Sequence, residues 1–282
     1  MKNIISMDLL YIPKDIQFEN VSTNSFKVLW KIDNKNLISK RDKFRVEIRK
    51  ENEKFMQVYE GNENNCLIDN LNSNTKYEIR ICSIINGLIS PWTQIYKVKT
   101  LFDSIILEGT KKETEFLQKL KEWINYKKLE LIYRGTRDGS TANIFHNKCD
   151  NQGPTLCLYK NNKGNIFGGF TPISWKSEKS GNYPYDKDSF LFTLTNIYGI
   201  EPTKFINTGN KSVYHYYNSG PSFGGGVDII IYYDFINSNS NSTFPCSYQD
   251  ILGKGKSIFT GDANNSNSDF KVEEIEVFKV YK

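Results

Sequence analysis

At 282 residues the chain is long enough for about two domains, and its 38% hydrophobic and 24% charged residues are those of an ordinary globular protein. No run approaches the roughly 18 apolar residues of a membrane-spanning helix, and the net charge of +5 is interspersed with acidic residues rather than gathered into the stripe that nucleic-acid binding needs. Five cysteines, at 66, 82, 149, 157 and 246, form no CxxC pair, which argues for reduced structural thiols over a disulfide framework or a zinc site.

Residues 1–10 read as an N-terminal tail. Asp8 breaks the apolar run of Met1–Met7 too early for a secretory segment, so the expected location is cytoplasmic, with association at an organelle surface or the cytoskeleton left open.

Residues 11–100 alternate apolar and polar positions with period two. Ile16–Glu19, Ser25–Trp30, Phe44–Ile48, Phe55–Tyr59, Tyr77–Ile81 and Tyr96–Val98 are predicted strands, and their spacing suits an all-β sandwich. The densest basic segment, Lys40–Lys50, follows the same alternation and reads as a half-buried strand with a solvated charged face. The run Leu71-Asn-Ser-Asn74-Thr75-Lys-Tyr77-Glu-Ile79-Arg-Ile81 resembles the tyrosine-corner segment of a fibronectin type III domain. That resemblance makes Trp30 the core tryptophan, Tyr77 the anchor of the strand after the turn, and Ser90-Pro91-Trp92 the lead into the last strand. Asn74 stands where such domains often carry a proline, a change expected to loosen the turn.

Residues 101–109 are the expected linker. Thr110 and Glu113 have the spacing of a capping box, and Phe116, Leu117, Leu120, Trp123 and Ile124 then recur as on one helix face. From 131 onward the chain is β-rich: Thr155–Tyr159, Asn165–Phe170, Ser189–Leu194, Asp228–Tyr233 and Glu274–Val280 are predicted strands, with a short helix capped near Ser140. The Asn/Ser tracts 237–242 and 264–268 read as polar surface loops.

Several blocks of this second half occur together in one order: Leu131-Ile-Tyr-Arg134-Gly135-Thr-Arg137-Asp138-Gly139, Phe145-His146 through Leu156, Ile166-Phe-Gly-Gly-Phe170, Ser189–Phe192, Phe223-Gly-Gly-Gly-Val-Asp228 and Asp269–Phe278. They resemble a TLDc domain. The resemblance implies an α+β domain over 110–282, an antiparallel β-sandwich edged by helices and opening on the helix described above, behind a fibronectin type III-like domain at 11–100.

Few motifs of the chain point to chemistry. Gly220-Pro-Ser222-Phe-Gly224 fits the G-x-S-x-G pattern of a hydrolase elbow, but glycines and a strand follow it where that motif needs a helix. Gly253-Lys-Gly-Lys-Ser257 ends like a phosphate-binding loop, yet the position of its first glycine is Asp250, whose carboxylate would oppose a phosphate. Two histidines, His146 and His215, give a triad or metal centre little to draw on. Arg134, Arg137, Asp138 and Asp150 read as pairs tying loops to a sheet. No catalytic residue, cofactor or metal is expected. Cys149 and Cys157 are candidate redox-sensitive thiols, and Glu273, Glu274 and Glu276 on the closing strand are candidates for a partner-binding edge.

The resemblance also carries a function. Members of the oxidation-resistance group of TLDc proteins bind the vacuolar H+-ATPase, which makes a non-enzymatic interaction protein the expected class, with soluble-sector subunits of that V-ATPase as partners. The alternatives are a structural adaptor of a cytoskeletal or axonemal assembly, or a thiol-dependent peroxide-protective protein.

Overall fold

Period-two alternation in the first hundred residues becomes strands whose inward side chains are almost wholly buried. The computed structural model describes residues 11–32, 42–108, 110–264 and 266–282. The expected tail, Lys40 and Arg41 of the basic segment, and Gly109 of the linker lie outside the described residues. The chain divides into two compact units, Met1–Asp103 and Ser104–Lys282.

The first unit contains β1 (Lys14–Glu19), β2 (Phe26–Lys31), β3 (Lys43–Lys50) and β4 (Met56–Gly61). These are followed by β5 (Asn65–Ile68), β6 (Lys76–Ile85), β7 (Leu88–Ile89) and β8 (Tyr96–Lys99). One sheet runs β1-β2-β5; the other runs β4-β3-β6-β7, with β8 also paired to β6. Phe26, Val28 and Trp30 from the first sheet share a core with Val46, Ile79 and Ile81 from the second, the packing of two half-buried faces that defines a sandwich. At the corner, the Asn72 amide donates to the Tyr77 hydroxyl over 2.9 Å, and Tyr77 is 5% exposed. Asn74 does not loosen this turn: its φ is +49°, a left-handed conformation open to asparagine and closed to proline.

The second unit opens with α1 (Ile105–Glu108) and α2 (Glu113–Ile124), then β9 (Lys128–Arg134), α3 (Gly135–Asp138) and α4 (Ala142–Cys149). The strands β10 (Thr155–Asn161), β11 (Ile166–Thr171), β12 (Phe190–Thr195) and β13 (Thr203–Ile206) follow. Short pieces come next: β14 (Val213–Tyr214), β15 (Ser222–Phe223), β16 (Ser240–Asn241) and α5 (Ser257–Thr260). The chain closes with β17 (Asp269–Phe270) and β18 (Val272–Tyr281).

A six-stranded antiparallel sheet, β13-β12-β11-β10-β18-β9, is the frame of this unit. On one face Phe190 and Phe192 of β12 meet Trp123 of α2 at ring distances of 6.2 and 5.8 Å. On the other, Cys157, Tyr159, Phe167, Leu191 and Val277 join a core with Phe223, Ile229, Phe244 and Phe259 from short ribbons and loops. Gly169 lets this second layer come close, and Gly168 leaves room for its own sheet neighbours. A Cβ at 168 would run into the Cys157 carbonyl, and one at 169 would sit 2.5 Å from the Phe223 ring.

Three local expectations are corrected. The residue before α2 is Lys112, with no side-chain cap among the described residues; Thr110 instead donates to the Leu107 carbonyl over 2.7 Å, closing the turn after α1. Asp228–Tyr233 is no regular strand: it forms isolated bridges to two segments, Ile229 and Tyr232 to Phe223 and Ser219, and Ile230 to Asn241. Nor is the tract 237–242 a loose surface loop. Ser240–Asn241 pairs with β17, and Ser240 and Ser242 are fully buried, the latter donating to the Asp228 carbonyl over 2.7 Å.

Candidate interaction surface

A surface that binds a partner must be free of internal duties, and most charged residues of the TLDc-like blocks are not. β18 lies between β10 and β9, so Glu274 and Glu276 sit on an interior strand. They are 4% and 0% exposed. Glu276 accepts from Arg134 Nε at 2.8 Å, from the Ile105 amide at 2.9 Å and from the Ser104 hydroxyl at 2.5 Å. Glu274 accepts from the Thr136 amide at 3.1 Å and from the Thr136 hydroxyl. Each carboxylate thereby fastens a four-residue helix, α1 or α3, to the sheet, a charge-assisted use of backbone donors that a helix start leaves unsatisfied. The expectation of a shared partner-binding edge is therefore corrected for both, since neither reaches solvent. Glu273 is exposed and ion-paired with Lys160 at 3.3 Å.

Asp138 accepts from the Arg134 amide at 2.9 Å and pairs with Arg137 at 2.8 Å. The Arg137 hydrogen bond, against the cost of burial, holds its carboxyl below the usual range. Asp150 Oδ1 lies 2.8 Å from His146 Nδ1, whose other ring nitrogen lies 3.0 Å from the Tyr216 carbonyl. Cys149 and Cys157 are both fully buried, and burial drives both thiols well above their ordinary pKa. A reactive thiol needs the opposite environment, electropositive and accessible, so the redox-sensitive assignment is corrected for these two. The exposed cysteine is Cys246.

The two motif matches are tied into the fold. Ser222 donates to the Gly220 carbonyl and accepts from the Ile231 amide, each at 3.0 Å, while Gly224, at φ +86°, abuts the buried Asp228 carboxylate. In the 250–257 loop the amides of Leu252, Gly253 and Gly255 donate to Asp250 at 2.7–3.0 Å. The carboxylate thus fills the nest a phosphate would need. Among the described residues, no group of three His, Cys, Asp or Glu side chains is placed to hold a metal.

Two outward features of this unit lie apart from the expected sites. Tyr183 and Tyr214 stack at 4.6 Å, Tyr214 and Tyr216 at 5.5 Å, and Tyr217 adjoins Tyr216 with half of its surface exposed. A cleft of about 430 Å³ also lies between α2 and the outer strands, lined in part by Trp123, Lys187, Lys204 and Ile206. Segments far apart in sequence build both, so local pattern gives little sign of either. The clustered tyrosines at 214, 216 and 217 were the signal available.

Known proteins resemble the chain in both parts. A family model described as TLDc domain matches residues 102–281, and one described as fibronectin type III domain matches residues 11–99. The MTOR-associated protein MEAK7 of Danio rerio is 28% identical over 166 residues, covering 54% of this chain and 32% of that protein, so the chain spans about a third of that relative's length. A human fourth FNIII domain is 26% identical with a TM-score of 0.30, covering 33% of this chain and 80% of its own. The fibronectin type III domain of human fibronectin type III domain containing protein 3 is 16% identical with a TM-score of 0.30, covering 35% and 91%. Among the described residues no helix is long and apolar enough to cross a membrane.

Proposed function

This chain belongs to the TLDc domain family, and from that premise we propose that it is a non-enzymatic interaction protein whose TLDc unit binds soluble-sector subunits of the vacuolar H+-ATPase. The observation that carries this reading is the division of labour among its charged groups. Glu274, Glu276, Asp138 and Asp250 are spent on internal donors, whereas aromatic and lysine side chains face outward at the tyrosine stack and the cleft. Aromatic residues of that kind are enriched in protein interfaces. The relative's name, MTOR-associated protein, supports a role within a larger assembly.

The mechanism is differential affinity, because a binder shifts an assembly equilibrium only by preferring one of its states. The fibronectin type III unit supplies a second contact and raises the effective concentration of the first. Purified full-length protein, immobilised and offered purified V-ATPase soluble sector at low and physiological salt, is expected to retain it saturably. No retention at either salt would remove the V-ATPase assignment.

A further inference from the structure

Where the last turn of α2 meets β12 and β13, charge and apolar surface converge on the cleft of about 430 Å³. Trp123 stands edge-on to Phe190 at 6.2 Å and 83°, and Ile206, on the outermost strand, leaves 50% of its surface in solvent. Lys204 Nζ is held 4.2 Å from the Phe190 ring centroid, and Lys282 Nζ 5.3 Å from that of Phe170. Lys187 adds a third cation, and Asp188 is the lining's carboxylate. Among the described residues, Lys187, Lys204 and Lys282 form no ion pair, whereas Lys43 and Lys97 of the first unit pair with Glu60 and Glu78. Burial lowers the Lys204 pKa, with Asp188 pulling the other way. A half-buried cation fixed over an aromatic ring and short of anions has already met part of the ordering cost of binding one.

We propose that this cleft docks an acidic segment of a protein partner, its carboxylates meeting Lys204 and Lys187 and an apolar side chain packing on Ile206 and Trp123. This docking role rests on the protein-interaction reading above. Lys187 and Lys204 against the single Asp188 make the cleft complementary to acid. A concave, partly apolar site of this volume suits a side chain better than a phosphate backbone, which calls for a long basic stripe.

The test uses the full chain and a fluorescein-labelled twelve-residue peptide of alternating Glu and Asp with a central Phe-Leu pair, read by anisotropy at physiological salt. Saturable binding is expected, weakened about tenfold in Lys204→Glu and in the more exposed Lys187→Glu, restored in Lys204→Arg and unchanged in the charge-matched control Lys179→Glu. Equal affinity for the same peptide with Ser-Ser in place of Phe-Leu would overturn the proposal, since only diffuse charge would then be sensed. So would equal affinity in both Glu variants, or displacement of the peptide by phosphatidylserine vesicles, which would make the occupant a lipid surface. Soluble-sector retention measured on wild type and Lys204→Glu separates the two readings. Retention by both sinks the cleft and keeps the partner, whereas retention by neither, with peptide binding intact, sinks the partner and keeps the cleft.

Discussion

Arg134 and Glu276, 142 residues apart in sequence, face each other across the pairing of β9 with β18, with Nε 2.8 Å from Oε1. Glu276 is fully buried and Arg134 nearly so, at 11% side-chain exposure. Removing one member of such a pair leaves the other charge uncompensated, at a cost of about 3–5 kcal/mol. Glu276→Ala is therefore expected to destabilise the TLDc unit by about that amount in urea unfolding, and Glu276→Gln, which restores an acceptor for Ile105 but not the charge opposite Arg134, by somewhat less. Burial raises the Glu276 pKa against the opposing pull of Ser104 and Arg134. A raised folded pKa gives stability that is complete below the unfolded value of about 4.5 and is lost as pH rises through the folded one. The stability of wild type relative to Glu276→Gln should thus grow on acidification toward pH 4.5; a difference that shrinks would show the carboxylate is held charged.

What the sequence made legible divides along physical lines. Strands with one buried face announce themselves by period two, as Phe26–Lys31 and Lys43–Lys50 do. The two-residue Leu88–Ile89 strand, exposed at both positions, has no alternation to read. The Asn/Ser tract was opaque because composition speaks for water, whereas Ser242 is buried by a tertiary bond to the Asp228 carbonyl. Glu274 and Glu276 could be placed on one face from sequence, but not assigned to the inside, because their donors come from Thr136 and Arg134 more than 130 residues earlier. The cleft was least accessible of all, since sheet order, not chain order, brings Trp123 beside Lys204.

His215 is 3% exposed, and among the described residues its Nε2 has no hydrogen-bond partner. Burial first, then Lys176 and His146, lower its pKa from 6.5 to about 4 against the opposing charge of Asp150. Between those values the unfolded chain binds more protons than the folded one, so this stability is complete above pH 6.5 and is lost as pH falls toward 4. In NMR, one imidazole should titrate near pH 4, and its signal should vanish in His215→Gln. A titration near 6.5 for that ring would mean the site is wetter than its packing against Trp175, at 6.1 Å, implies.

Thiol reactivity offers a direct check on burial. Cys246 is exposed while Cys66, Cys82, Cys149 and Cys157 are buried, and burial pushes Cys66 and Cys82 up to about 12 and about 11. With a maleimide at pH 7.5, Cys246 should be labelled rapidly in the native protein and the others only after denaturant is added. Cys246→Ser should abolish the fast phase. Fast labelling of Cys149 or Cys157, located by peptide mass, would instead revive a thiol role.

On the outer face of the first sandwich, Arg80 lies between two aromatic rings, its guanidinium 4.1 Å from the Phe55 centroid and 4.3 Å from that of Trp92. Arg49 covers Phe55 as well, at 4.3 Å, and Glu47 and Glu78 hold the two guanidiniums from below at 2.6 and 2.7 Å. The planar guanidinium can stack and hydrogen-bond at once, which an ammonium cannot. Phe55→Ala removes two cation–π contacts, each worth about 0.5–1 kcal/mol where partly exposed. It should lower hydrogen-exchange protection in β3 and β6 without affecting β10 or β18. Arg80→Lys keeps the charge opposite Glu47 and should still lose part of that protection. Full retention in Arg80→Lys would assign the stabilisation to charge alone.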